Sequence, residues 1–208
     1  MALTATSTQN IRNDILEKLC MNVLNVKAFN KSVDRPNLKL AVKTMTATLN
    51  NFSENLKGFL NAWSNNPMER GSTIIYAATT NTVDQLVYYL GQKVAEIDAT
   101  CLVAGYHAKM SLADRRSSHE SFLTGKCKVI VATVAFGMGI DKADIRRVVL
   151  YGPPKDMELY YQQIGRAGRD GRASECILLY SEADMNKFGN EFYLEGKSEH
   201  GKQLALES

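Results

Sequence analysis

A chain of 208 residues is long enough to bury a full core, and one large domain with appendages is the default at that length. An apolar content of 45% and a charged content of 23% are ordinary for a globular protein and exclude only the extreme compositional classes. A net charge of +3 does not announce nucleic-acid binding, so any basic stripe has to be local. Cys20, Cys101, Cys127 and Cys176 form no CxxC pair, and His107, His119 and His200 make no ligand spacing with them. No metal site is expected, and the cysteines read as buried free thiols of a reducing compartment. The longest apolar run, Val129 to Ile140, is too short to cross a bilayer and contains glycines. With no secretory signal pattern at the start, the expectation is an intracellular protein that uses no membrane.

In chain order, Met1 to Cys20 reads as a loop entering a helix, with Ile11, Ile15, Leu16 and Leu19 at helical spacing and Thr6 and Gln9 offset as in a capping box. Asp34-Arg35-Pro36-Asn37 is a turn signal that ends a linker, and Leu38 to Met45 alternates like a strand. Apolar, β-branched stretches follow at Ser72 to Ala78, Cys101 to Tyr106, Lys128 to Val134, Arg147 to Tyr151 and Glu175 to Tyr180. Helical patterns lie at Phe52 to Trp63, Thr82 to Val94, Leu112 to Leu123, Met157 to Gly165 and Glu182 to Leu194. Ser111 with Asp114 and Ser181 with Asp184 match a helix-start signature. Strands alternating with helices predict an α/β fold, a mainly parallel sheet flanked by helices in three layers. The expected organisation is a helix and linker over 1–36, the sheet domain over 37–195 and a frayed tail over 196–208. Gly196-Lys197-Ser198 is no phosphate loop, because Glu191 stands where a glycine is needed.

Ligands of parallel sheets collect at the carboxyl ends of strands. There, Thr79 and its neighbours precede a helix start, where either capping or a phosphate selects hydroxyls. Gly105-Tyr106-His107-Ala108-Lys109 is basic and aromatic, although a lone histidine is more often packed than functional. Thr133 to Asp141 offers small residues, Gly137 and Gly139, and in Asp141 either a ribose acceptor or a turn former. Finally, Tyr160 to Arg172 reads Tyr-Tyr-Gln-Gln-Ile-Gly-Arg-Ala-Gly-Arg-Asp-Gly-Arg. If helical, it sets Gln162, Arg166 and Arg169 on one face, thinned by Gly165 and Gly168. Paired guanidinium groups on such a surface suit a phosphate, and a solvated basic face is the plain alternative.

Val131-Ala132-Thr133-Val134-Ala135-Phe136-Gly137-Met138-Gly139-Ile140-Asp141-Lys142 resembles helicase motif V, and Tyr160 to Gly171 resembles motif VI, of the RecQ branch of superfamily 2. Ala2-Leu3-Thr4-Ala5-Thr6, Asp34-Arg35-Pro36-Asn37 and Tyr106-His107-Ala108 resemble further RecQ pieces in the same order, the first being the end of motif III. Ile145-Arg146 and Tyr151-Gly152-Pro153-Pro154-Lys155-Asp156-Met157-Glu158 are closest to Werner-type members, and the resemblance runs from Ala2 to about Met185.

The resemblance implies the second RecA-like lobe of an ATP-dependent 3′ to 5′ DNA helicase of the nucleus, acting in repair, replication and recombination. The phosphate loop and the DExH box belong to a first lobe of the same polypeptide, so ATP and Mg²⁺ are expected to be held there. No cofactor and no ATPase activity are expected of this piece alone, and Arg166 and Arg169 are expected to face solvent in it. By the same resemblance Arg169 is the arginine finger and Arg166 its neighbour, while Gln162, Asp141 and Gly139 face the nucleotide. Thr79, His107, Lys109 and Thr133 line the track for single-stranded DNA at duplex junctions. Where many members carry a glycine and a Ser-Arg pair, this chain has Lys109 and Thr79-Thr80, so Lys109 is the candidate replacement for a missing arginine. Two other readings remain open from residues alone: the equivalent lobe of a DEAD-type RNA helicase, and a binding module without catalysis.

Overall fold

The computed structural model describes residues 9–21, 27, 34–45, 51–65, 71–137 and 140–181. The expected helix over Glu182 to Leu194, the tail over 196–208, the segment Ala2 to Thr6 and Gly139 lie outside them. The chain divides into two compact units, Met1–Pro36 and Asn37–Ser208. In the first unit, helix α1 (Gln9–Lys18) carries an i, i+4 ion pair between Asp14 and Lys18 at 3.0 Å.

The second unit is built on a six-stranded sheet of β1 (Leu38–Thr44), β2 (Ser72–Ala77), β3 (Leu102–Tyr106), β4 (Cys127–Ala132), β5 (Ile145–Tyr151) and β6 (Ser174–Tyr180). Every pairing is parallel, and the spatial order is β1-β6-β5-β2-β4-β3. Between these strands run α2 (Phe52–Asn55), α3 (Lys57–Asn65), α4 (Thr80–Ile97), α5 (Leu112–Leu123) and α6 (Met157–Ile164). One of the two central strands is β2, Ser-Thr-Ile-Ile-Tyr-Ala, buried at every position. A strand covered on both faces has no polar side to display, which explains why Ile74 to Ala77 show no apolar–polar alternation.

Alternation along β2 sorts the two cores. Ile75 and Ala77 join Leu56, Phe59 and Trp63 of the α2–α3 region and Val83, Leu86, Leu90 and Val94 of α4 on one face. Ile74 and Tyr76 join Phe122 of α5, Ile164 of α6 and Phe136 and Ile140 of the loop after β4 on the other. Each fully buried aliphatic side chain contributes on the order of 1.5–3 kcal/mol relative to exposure. This is the three-layer arrangement expected from the sequence, and all six strand positions agree with it to within two residues.

Two helices differ from expectation. Phe52 to Trp63 is not one helix: Leu56 adopts φ −104° and ψ 3° between α2 and α3 and is fully buried, so the chain bends to insert this leucine into the core. Helix α4 is longer than Thr82 to Val94, because Thr79 caps it from outside. Strand β1 lies at one edge of the sheet, with Leu40 and Val42 exposed and Lys39 within 4.0 Å of Glu175 on β6.

The cysteines were expected to be buried. Cys101, Cys127 and Cys176 are, but Cys20, just beyond α1, is exposed. Burial pushes the Cys127 thiol up to about 11, and its Sγ–H donates to the Val129 carbonyl at 3.0 Å. A native chain treated with a colourimetric disulfide reagent near pH 8 should therefore release about one equivalent quickly, from Cys20, and the rest only in denaturant. Several equivalents released before unfolding would contradict this core.

Candidate functional site

The expected site residues fall into two groups. The first sits at the carboxyl ends of three neighbouring strands, β2, β4 and β3. With strands about 4.8 Å apart, the outer two ends lie roughly 10 Å from each other. After β2, Thr79 has extended backbone (φ −121°, ψ 151°), and its Oγ1 accepts from the Thr82 N–H at 3.1 Å, so the hydroxyl serves as the α4 N-cap. After β4, the Thr133 N–H donates to the Tyr106 carbonyl at 3.2 Å and the Thr133 carbonyl accepts from the Phe136 N–H at 3.0 Å. That pair of bonds closes a turn over Thr133–Phe136 and ties it to the end of β3.

After β3, His107 is buried, and its Nε2 lies 2.9 Å from Asp84 Oδ1 on α4. Its Nδ1 is also buried and has no hydrogen-bond partner among the described residues. The histidine is therefore anchored to a helix carboxylate, while Lys109, two residues on, is exposed. Nothing in the sequence linked His107 to Asp84, which stands 23 positions away.

The second group lies around the segment that follows α6, and here the sequence expectation needs correction. Asp156 caps α6 through Leu159 N–H at 2.6 Å, and the helix ends at Ile164. Gln162, Arg166 and Arg169 therefore do not share a helical face. The N–H groups of Arg166 and Ala167 reach back to the carbonyls of Gln163 and Ile164, three residues earlier, and Gly168 turns left-handed at φ +55°. That conformation costs a residue with a Cβ roughly 1–2 kcal/mol. Gly165 and Gly168 thus end the helix rather than thin its surface.

The resulting turn is pinned from several sides. The Gly168 N–H donates to the Ile145 carbonyl at 2.9 Å, and Asn37 Nδ2 donates to the carbonyls of Gly168 and Arg172, both at 2.9 Å. Arg146 Nη2 donates to Asp170 Oδ1 at 2.7 Å, and its other N–H groups reach the carbonyls of Ala143, Asp144 and Ala173. The Arg146 hydrogen bond holds the Asp170 carboxyl below its ordinary value of 3.8. A lowered pKa means the pair favours the folded turn above the unfolded carboxyl's pKa and ceases to do so as pH falls through the folded one.

From this turn Arg169 Nη1 donates to the Ile140 carbonyl at 3.0 Å and to Asp141 Oδ1 at 2.9 Å. Its side chain is 36% exposed and that of Asp141 89%. Both arginines were expected to face solvent; Arg166 instead is half-buried against the loop after β4. A Cβ on Gly137 would stand 2.8 Å from Arg166 Nη2, so glycine is what lets the guanidinium approach. Arg166 Nε is buried with no partner among the described residues. Gln162 is exposed on α6, whereas the adjacent Gln163 is the buried one.

Tyr76 was not singled out from the sequence. Its hydroxyl donates to the Phe136 carbonyl at 2.9 Å, on the face where Arg166 lies. Burial pushes its pKa up to about 12, opposed by the neighbouring Arg166. The signal available was a phenol in the otherwise aliphatic run Ile74-Ile75-Tyr76, since a buried tyrosine hydroxyl needs a partner.

Residues 53–171 match the family model described as "Helicase conserved C-terminal domain". The chain is 43% identical over 191 residues to the bifunctional 3′-5′ exonuclease/ATP-dependent helicase WRN of Mus musculus, covering 91% of this chain and 13% of that protein. It is 37% identical over 196 residues to the ATP-dependent DNA helicase Q-like 2 of Arabidopsis thaliana, covering 94% of this chain and 26% of that protein. The chain thus spans only 13% and 26% of the length of these two relatives. Among solved structures, a DEAD box protein from Methanococcus jannaschii superposes with a TM-score of 0.59 at 20% identity, covering 89% of this chain and 46% of that one. Likeness at that identity shows the RecA-like fold. Since the family match takes in more than half of the residues and includes both the Thr133 loop and the Arg169 turn, the chain belongs to the helicase conserved C-terminal domain family, with Werner- and RecQ-type helicases among its relatives.

Proposed function

We propose that this chain is the second motor lobe of an ATP-dependent 3′ to 5′ RecQ-type DNA helicase. The observation that carries the reading is the state of Arg169. Its guanidinium stands on a rigidly pinned turn yet bonds only a carbonyl and one highly exposed carboxylate among the described residues. An exposed ion pair of that kind contributes about 0–1 kcal/mol, so exchange for a stronger anion costs little. When a first lobe presents ATP, Arg169 exchanges Asp141 for the γ-phosphate, and Asp141 is released toward the ribose hydroxyls. Arg166 stands beside it as the second cation, with Gln162 and Gly139 on the nucleotide side. Magnesium, which neutralises charge on the transferring phosphates, falls to the first lobe.

Thr79, Thr133, His107 and Lys109 then form the DNA track. A row of hydroxyls and backbone groups at three strand ends, with one exposed lysine, reads phosphates rather than bases, so binding is sequence-independent and weakened by salt. Movement between lobes shifts this row along one strand at a duplex junction. The place of action is the nucleus, in repair, replication and recombination. Organisation follows the same reading: 1–36 links the lobes, 37–195 is the lobe itself, and 196–208 lies beyond it.

The test begins with the chain alone. Purified and incubated with ATP, Mg²⁺ and single-stranded DNA, it should release no phosphate above the buffer blank, while the two-lobe polypeptide does so in a DNA-dependent way. DNA-stimulated hydrolysis by the lone chain would overturn the division of labour between lobes.

A further inference from the structure

We propose that Asp84 is a positioning residue that, through the His107 ring, sets the turn His107–Met110 and with it the Lys109 ammonium against the phosphates of a single DNA strand, an inference that rests on the DNA track above. Asp84 lies on α4, five residues past the Thr79 cap, which is roughly 7.5 Å along the helix axis. Its side chain is 66% exposed, so a carboxylate stands close to a row meant for phosphates, within the screening length of about 10 Å at about 0.1 M salt. On Coulomb grounds alone a negative charge there opposes DNA. Its bond to His107 gives the carboxylate a use that outweighs the repulsion.

Close packing of α4 on β3 makes that bond possible. A Cβ on Gly105 would stand 3.2 Å from Val87 Cγ2, so the helix rides near the end of the strand. Gly105 and His107, two residues apart, lie on the same side of the strand end, and Asp84 and Val87 stand at i, i+3 on the helix, so the carboxylate meets the ring. His107 Nε2 is 2.9 Å from Asp84 Oδ1, and because a carboxylate only accepts, this nitrogen carries the hydrogen. The buried Nδ1 has no partner among the described residues, which leaves Asp84 as the only polar anchor of the ring there. The His107 carbonyl accepts from the Met110 N–H at 3.1 Å, closing a turn with Ala108 and Lys109 exposed at its corner. One residue earlier, the Tyr106 carbonyl is held by the Thr133 N–H at 3.2 Å. A turn fixed in this way presents Lys109 already placed, so less ordering is left for a bound strand to impose.

The test measures single-stranded DNA binding by the two-lobe helicase. Asp84→Ala should weaken binding about fivefold at about 0.1 M salt although it removes a negative charge, because the lysine it places is lost to the strand. Asp84→Asn, whose amide oxygen still accepts from the Nε2–H, should bind at least as well as wild type. Charge alone predicts tighter binding for both. Lys109→Ala should lower the steepness of log K against log salt by about 0.7, the share of one phosphate contact on a single strand. In that background Asp84→Ala should change affinity by less than about twofold, because the group it positions is gone. Binding that is unchanged or tighter in Asp84→Ala, an equal loss in Asp84→Asn, a loss that persists undiminished without Lys109, or a salt dependence that Lys109→Ala leaves unaltered overturns the proposal. Should Asp84→Ala fail to fold, the long-range ¹H–¹⁵N spectrum of the wild-type chain decides: the His107 ring should carry its hydrogen on Nε2, and a ring protonated on Nδ1 alone refutes the anchor. If neither Lys109→Ala nor Thr133→Ala affects binding, the DNA track itself fails; if they weaken it and only the Asp84 results are negative, the track stands.

Discussion

Arg169→Ala in the two-lobe helicase is expected to lower ATP turnover by about 10³- to 10⁵-fold, the range in which an arginine finger acts on a transferring phosphoryl group. ATP affinity should be largely retained, since the finger meets charge that develops in the transition state and the first lobe holds the ground state. The fold should survive. Among the described residues Arg169 makes hydrogen bonds only to the Ile140 carbonyl and the exposed Asp141 carboxylate, and partly exposed pairs contribute about 0–1 kcal/mol. Steady-state kinetics with single-stranded DNA, paired with a thermal melt, separates the outcomes. Turnover within a few-fold of wild type at an unchanged melting temperature would remove Arg169 from the chemistry.

The largest effect on stability is expected at Gly168→Ala. Gly168 has φ +55°, and an added Cβ would stand 2.5 Å from Asn37 Nδ2, 2.8 Å from Ser174 Oγ and 3.0 Å from the Arg172 carbonyl. The left-handed backbone costs alanine roughly 1–2 kcal/mol, and overpacking adds roughly 1–3 kcal/mol, so a loss on the order of 3 kcal/mol follows. For a domain of this size that corresponds to a melting temperature lower by roughly 6–12 °C. The Asn37 side chain could swing aside, but doing so gives up its two bonds to the turn. Urea unfolding of the chain alone measures the effect without nucleotide or DNA. A loss below about 0.5 kcal/mol, the size of an ordinary surface substitution, would mean the turn is less rigid than drawn.

The inner strands were legible in the sequence because β2, β4 and most of β5 are buried along their length. Such strands run to apolar residues and are bounded by breakers, as Ile74 to Ala77 and Gly152-Pro153-Pro154 show. The Ser111 cap was legible too, its Oγ accepting from the Asp114 N–H at 3.1 Å as the Ser-x-x-Asp spacing implies. The segment after α6 was not. Glycines at 165 and 168 are compatible both with a close-packed helix face and with a helix end, and local spacing does not choose between them. The choice is made by distant groups, Asn37 and Ile145, which take up the backbone that a longer helix would have satisfied internally. For the same reason Arg166 was expected in solvent: the tyrosine and glycine that shelter it come from β2 and from the loop after β4. His107 is a third case. Its residue type announced a polar role, but only the packing of α4 on β3 brings Asp84 to its ring.

The edge strand β1 bears on how the protein behaves in a tube. One side of its backbone is spent on β6, and the other side has no strand among the described residues. Leu40 and Val42 are exposed on that strand, the kind of border along which two molecules stack into a continuous ribbon. Lys39 and Lys43 interrupt them, and two copies aligned edge to edge would bring like charges together. This guard is electrostatic, and its reach shrinks to about 3 Å in 1 M salt. Low ionic strength is therefore the gentler condition for storing the isolated chain.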